Sequence, residues 1–212
     1  MTPLIVFDFD CTLADSLETL IRSYNHVAMR FGGRSVNVNE IPMLRAQKPK
    51  ELLHSLGLRW WQIPRIMQAI LNEQKKIESG ISLFPGIRQV VQTLTKDGYK
   101  VGVLSTNRED TITQVLKREG ILELFVFVYG GARWNKKGRW LRSLKRKYGV
   151  VVYVGDEVRD IEAAKHVDIP IIAVDWGMNN HETLRLANPE AIVSRPKDLL
   201  GVISEKFAIL PS

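Results

Sequence analysis

A short apolar run followed by a helical pattern recurs along this chain, and that alternation limits the fold more than any other feature. The runs are Leu4 to Phe7, Val101 to Leu104, Phe125 to Tyr129, Val150 to Val154 and Ile171 to Val174, with a weaker sixth at Ala191 to Val193. Each is short, rich in β-branched residues and continuous rather than alternating, as in strands buried on both faces of a parallel sheet. Helical spacing marks Ile87 to Asp97, Arg108 to Glu119, Arg139 to Tyr148 and Val158 to His166. Glycine follows the first three, at Gly98, Gly120 and Gly149, where a helix end favours a left-handed residue. The pattern predicts an α/β fold: a three-layer, Rossmann-like parallel sheet with helices on both faces.

One interval breaks the alternation. From Ser16 to about Gly80, Leu17, Leu20, Ile21, Tyr24 and Val27 keep helical spacing, as do Glu51 to Leu53 and Ile63 to Ile77, with no convincing strand between them. Phe84-Pro85-Gly86 then breaks regular structure. The expected organisation is a core of residues 1–15 and 81–212, with a small α-helical cap of residues 16–80 inserted after the first strand.

Charge narrows the class of partner. The 212 residues carry a formal net charge of +7, which raises the prospect of nucleic acid or a membrane surface. Eight of the 30 basic residues, however, lie between Arg133 and Lys147, a stretch with no acidic residue, and the other 22 are balanced by 23 acidic ones. The chain is nearly neutral outside one basic segment. Binding of nucleic acid or an acidic partner by segment 133–147 is the rival to an enzymatic reading. No run approaches the ~20 apolar residues of a membrane span. An apolar run already at Leu4 leaves no room for a basic, apolar leader. One cysteine, Cys11, makes neither an internal disulfide nor a structural zinc site. These observations point to the cytoplasm.

In an open parallel sheet, ligands bind where the carboxyl ends of the strands meet the following loops. Here the first strand leads into Asp8-Phe9-Asp10-Cys11-Thr12, the second into Ser105-Thr106-Asn107 and the fourth into Gly155-Asp156-Glu157-Val158-Arg159-Asp160, while Lys136-Lys137 lies between the latter two. Carboxylates gathered at one edge oppose each other's ionisation, so a cation must compensate. Hard oxygen ligands without a His/Cys cluster point to Mg2+, which takes one or two carboxylates and holds substrate phosphate. A carboxylate beside such a metal can attack a phosphoryl group and form a covalent intermediate. Other signatures fail: Gly130-Gly131 is not a phosphate-binding loop, and Leu13 stands where a calcium loop needs glycine. The four histidines, His26, His54, His166 and His181, have no metal or triad spacing.

With Asp8, Asp10 and Thr12 as D-x-D-x-T, Ser105 after an apolar strand, a lysine, and Gly155, Asp156 and Asp160 as G-D-x-x-x-D, the sequence resembles the haloacid dehalogenase superfamily. Within it, the stretches around Asp160 to Ala164 and Val174 to Gly177 resemble the phosphoglycolate-phosphatase-like branch. The resemblance implies a magnesium-dependent phosphatase. Asp8 would be the nucleophile and Asp10 the general acid and base. Ser105 with the adjoining Thr106 and Asn107 would bind phosphate, Thr106 being the alternative to Ser105 for the hydroxyl contact. Lys137, with Lys136 as the other candidate, would neutralise phosphoryl charge and orient Asp8. The metal would take Asp8, Asp156 and the backbone carbonyl of Asp10, while Asp160 would support the metal shell or the lysine. A small phosphorylated metabolite follows as substrate, phosphoglycolate, a phosphosugar or a nucleotide. Thr12 favours hydrolysis over the related phosphosugar mutases, where valine is more frequent. Cys11 stands where the family carries glycine or valine, which leaves a redox-sensitive thiol open. In the cap, Arg45 and Lys48 are candidates for reaching the substrate. Trp60-Trp61 is expected to pack the cap or its hinge, and Trp134 and Trp140 to pack beside the basic face.

Overall fold

The computed structural model describes residues 2–76, 80–132 and 136–208. Its elements in chain order are β1 (Leu4–Phe7), β2 (Ala14–Asp15), α1 (Leu17–Ala28), α2 (Ile41–Arg45), α3 (Pro49–Ser55), α4 (Ile63–Lys76), β3 (Ser82–Leu83), α5 (Ile87–Lys96), β4 (Lys100–Leu104), α6 (Glu109–Arg118), β5 (Phe125–Tyr129), α7 (Lys137–Tyr148), β6 (Val151–Gly155), α8 (Val158–Lys165), β7 (Ile171–Val174), α9 (His181–Leu186), β8 (Ala191–Val193) and α10 (Asp198–Lys206). Ile77, Arg133 and Trp134 lie outside the described residues.

Six strands form one parallel sheet in the order β5-β4-β1-β6-β7-β8. The period of two sorts the strand side chains between the faces. Ile5 and Phe7 of β1 join Val101, Val103, Val152, Val154, Ile172 and Val174 under α5, α6 and α10. Leu4 and Val6 join Tyr153, Ile171 and Ala173 under α7, α8 and α9. Each such strand is continuously apolar because both of its faces are covered, the reason the runs do not alternate. The α/β expectation holds.

Between Ser16 and Gly80, helices α1 to α4 enclose their own cluster of Tyr24, Val27, Leu44, Leu56, Ile66 and Ile70. A feature without a sequence signal joins this helical part to the sheet: β2 and β3 pair antiparallel, Ala14 opposite Leu83 and Asp15 opposite Ser82. Two-residue strands carry too little periodicity to be seen. The Trp60-Trp61 expectation fails, since the rings are 73% and 54% exposed and meet each other edge-on, with Arg59 over Trp61. Trp140 lies against Tyr129, ring centroids 5.1 Å apart.

The order of strands places the reactive edge. From β1 the chain fills one side of the sheet with β4 and β5, then crosses to fill the other with β6, β7 and β8. That reversal opens a crevice at the carboxyl end of β1, the usual ligand position in such sheets.

Candidate active site

Asp8 is the first residue past β1 and is buried. Its Oδ1 accepts from its neighbour Phe9 N at 2.8 Å, and its Oδ2 accepts from Lys137 Nζ at 2.5 Å. Lys137 opens α7 and also donates to Asp160 Oδ1 at 2.7 Å. Its side chain is 4% exposed. It shares the inner face of α7 with Leu141 and Leu144, at helical spacings of four and seven residues, whereas Lys136 precedes the helix and is only partly buried. The structure therefore brings Lys137, and not Lys136, to Asp8.

Burial works against the Lys137 charge, but Asp160 and Asp8 outweigh it and hold the ammonium protonated well above its ordinary range. Asp8 is pushed up by burial in spite of the lysine. Asp156 is raised further, first by burial, then by Glu157, Asp160 and Asp8. Its Oδ1 accepts from Thr12 Oγ1 at 2.7 Å and its Oδ2 from Met178 N at 2.7 Å. Gly177 permits that approach, since a Cβ there would stand 2.4 Å from Asp156 Cβ and 2.5 Å from the Cys11 carbonyl oxygen. Oxygens of Asp8, Asp156 and Asp160 lie within 4.8 Å of one another. Lys137 pairs with two of these buried carboxylates while Asp156 is met by the neutral donors Thr12 and Met178, an acidic cluster that suits a hard divalent cation.

The metal role expected of Asp10 falls to its backbone carbonyl, which leaves its side chain for other contacts. Its carboxylate is outside that cluster and faces three donors: Ser16 Oγ and Gln74 Nε2 on Oδ1 at 2.8 and 3.0 Å, and Asn107 Nδ2 on Oδ2 at 2.8 Å. Burial raises its pKa despite them. Asn107 thus orients Asp10, and its Oδ1 accepts from Arg108 N at 2.7 Å. Ser105 is buried, and its Oγ accepts from Asn107 N at 3.2 Å, which leaves the hydroxyl hydrogen for another acceptor. Thr106 is half-buried beside it. Asp160 accepts from the lysine and also lies within the carboxylate cluster, so it meets both of the roles expected of it.

Sequence reasoning missed Ser16 and Gln74. Gln74 had a signal: it continues the Ile66, Ile70 spacing on the buried face of α4, where a glutamine needs a partner. Cys11 is buried with φ 57°, a left-handed conformation that explains why glycine suits this position. Burial, followed by Asp156 and Asp10, pushes its thiol well up, which opposes the redox reading.

The cap candidates separate. Arg45 Nη2 donates to the Asp175 carbonyl at 2.6 Å, and the Arg45 carbonyl accepts from Asn180 N at 3.1 Å and Asn179 Nδ2 at 3.2 Å. It clasps α2 to the loop after β7. The Lys48 side chain is exposed at the start of α3. A cavity of about 200 Å³ lies behind the clasp, bordered by Leu17, Ile21, Tyr24, Arg45, Glu157 and Asn179.

The sequence model of haloacid dehalogenase-like hydrolases matches residues 5–174. The chain belongs to the haloacid dehalogenase-like hydrolase family. It is 34% identical over 205 residues to a phosphoglycolate phosphatase of Synechococcus elongatus, covering 95% of this chain and 97% of that one. It is also 24% identical over 211 residues to the pyrophosphatase PpaX of Listeria welshimeri, covering 95% and 96%. A solved haloacid dehalogenase-like hydrolase from Streptococcus pneumoniae shares the fold with a TM-score of 0.77 at 21% identity, over 95% of this chain and 98% of that one. The chain thus stands with the phosphatases of its family. Among the described residues, no helix is long and apolar enough to cross a membrane.

Proposed function

We propose that this hydrolase is a magnesium-dependent phosphatase acting on a small phosphorylated metabolite through an aspartyl-phosphate at Asp8. The observation that carries the reading is the Lys137 ammonium bonded to both Asp8 and Asp160 beside Asp156. The lysine keeps one Asp8 oxygen fixed, leaving the carboxylate oriented for attack on phosphorus. Asp8 forms the new P–O bond as the leaving oxygen departs, and Asp10 supplies the proton that oxygen needs. Asp10 then takes a proton from water, which attacks the acyl phosphate and releases inorganic phosphate with Asp8 restored. Ser105 and Lys137 face the growing negative charge on the phosphoryl oxygens, where fixed donors lower a barrier most.

Asp8, Asp156 and the Asp10 carbonyl would hold Mg2+, with Thr12 orienting Asp156. When bound, the ion neutralises phosphate charge and offsets the carboxylate repulsion. Phosphoglycolate is the first substrate to try, supported by the name of the 34%-identical relative; a phosphosugar or nucleotide is next. The reading divides the chain into a catalytic core, residues 1–15 and 81–212, and a cap, residues 16–80, and puts the protein in the cytoplasm.

The test is phosphate release from an aryl phosphate with and without magnesium, for wild type and Asp8→Asn. Release that needs magnesium and vanishes in the variant supports the reading. Equal release from both proteins refutes it.

A further inference from the structure

Gln74 is 1% exposed, yet it sits in a helix that has apolar residues to spare for a buried position. Burying an amide costs free energy unless it finds partners. Its partners are not in the cap. Nε2 donates to Asp10 Oδ1 at 3.0 Å, and Oε1 accepts a longer bond from Asn107 Nδ2 at 3.5 Å. Asp10 precedes the helical insertion and Asn107 follows β4, so α4 spans the division between the two parts of the chain at this buried side chain.

The three donors on Asp10 have different origins. Asn107 belongs to the loop after β4, its amide orientation fixed by the bond from Arg108 N. Ser16 lies where the insertion begins, and it also accepts from Cys11 N at 3.2 Å, which ties it to the Asp10 loop. Gln74 comes from the far end of the insertion, just before β3 returns the chain to the sheet. Of the three, Gln74 alone is carried by a helix whose remaining buried residues, Ile66 and Ile70, pack within the cap cluster. A displacement of α4 would take Gln74 from Asp10 while Asn107 stays with the loop after β4.

We infer that Gln74 is a positioning residue that couples cap docking to acid–base catalysis: it aims the Asp10 carboxylate only while α4 is seated. The inference rests on Asp10 being the general acid, as proposed above, and adds the device that engages it. A general acid contributes about 10²- to 10⁴-fold. Its share is largest for a poor leaving group such as an alkoxide and small for a nitrophenolate, which departs unprotonated.

The experiment compares kcat/KM of wild type and Gln74→Ala on 2-phosphoglycolate, an alkyl ester, and on p-nitrophenyl phosphate. The variant is expected to lower the ratio of alkyl to aryl kcat/KM by about 10-fold or more. In an Asp10→Asn background, the same substitution is expected to leave that ratio where Asp10→Asn alone puts it. Equal loss on both esters, or an additive further fall in the Asp10→Asn background, overturns the inference and marks Gln74 as a packing residue.

A wild type that releases phosphate from neither ester would instead defeat the functional proposal. The coupling is then read from distances between labels on cysteines introduced at exposed Lys50 of α3 and Lys117 of α6, with buried Cys11 left unlabelled. Gln74→Ala should widen the cap-to-sheet distance distribution. An unchanged distribution overturns the coupling.

Discussion

Lys137 Nζ donates to Asp8 Oδ2 across 2.5 Å, a bond that joins the first turn of α7 to the end of β1 over 129 positions of sequence. Both groups are buried, and a second carboxylate, Asp160, accepts another hydrogen bond from the same ammonium. Removing the cation leaves two carboxylates facing each other in a low-dielectric site. Lys137→Met should lower stability by about 3–5 kcal/mol in magnesium-free denaturant titrations and phosphate release by about 100-fold or more. Lys136→Met, one residue away and partly exposed, should shift stability by no more than about 0.5 kcal/mol.

Thr12 donates to Asp156 Oδ1 while Met178 N takes Oδ2, so both oxygens are aimed from outside the carboxylate cluster. Thr12→Val keeps the shape and removes the donor. The magnesium concentration for half-maximal phosphate release should rise by about 10- to 100-fold. An unchanged requirement would remove Thr12 from the support of the metal site.

Cys11 should be chemically quiet despite lying in the catalytic loop. Its burial and the nearby Asp156 and Asp10 all oppose the thiolate. Mixing native protein with a disulfide reagent should give a slow reaction that becomes rapid in denaturant. Rapid native labelling, protected by magnesium, would restore the redox reading.

The acid limb of stability has an identifiable contributor at the cap boundary. Asp110 of α6 is held well below the usual carboxylate range, first by hydrogen bonds from Arg108 and then by Lys75 of α4 at 2.6 Å. A depressed carboxylate stabilises the folded chain above its unfolded value near ~4 and loses that contribution as pH falls through the folded value. Both partners are partly exposed, so the effect is small, about 0.5 kcal/mol. Wild type should exceed Asp110→Asn by that amount at pH 7, and the difference should shrink progressively as pH falls below the unfolded value near ~4. Salt should shrink it as well.

The strands and the acidic loops were legible for a local reason. Leu4 to Phe7 is apolar throughout because both faces are buried, and Asp8 and Asp156 each follow their strand directly. The choice between Lys136 and Lys137 was also in the sequence, in the spacing of Lys137 to Leu141 and Leu144, once the helix is read from Lys137 rather than Arg139. What was not legible depends on how distant parts meet. The Gln74 contact with Asp10 needs the cap folded back over 64 residues, and the Asn107 contact with the same carboxylate joins residues 97 positions apart. Trp60 and Trp61 misled because aromatic pairs usually pack, whereas these are largely exposed.

The central claim is that phosphate passes through Asp8. Acid-quenching wild type during turnover of a radiolabelled phosphate ester, followed by peptide mapping, should find label on Asp8 at a level that chases away with unlabelled substrate, and none in Asp8→Asn. Label on another residue, or sustained phosphate release by Asp8→Asn, would contradict it.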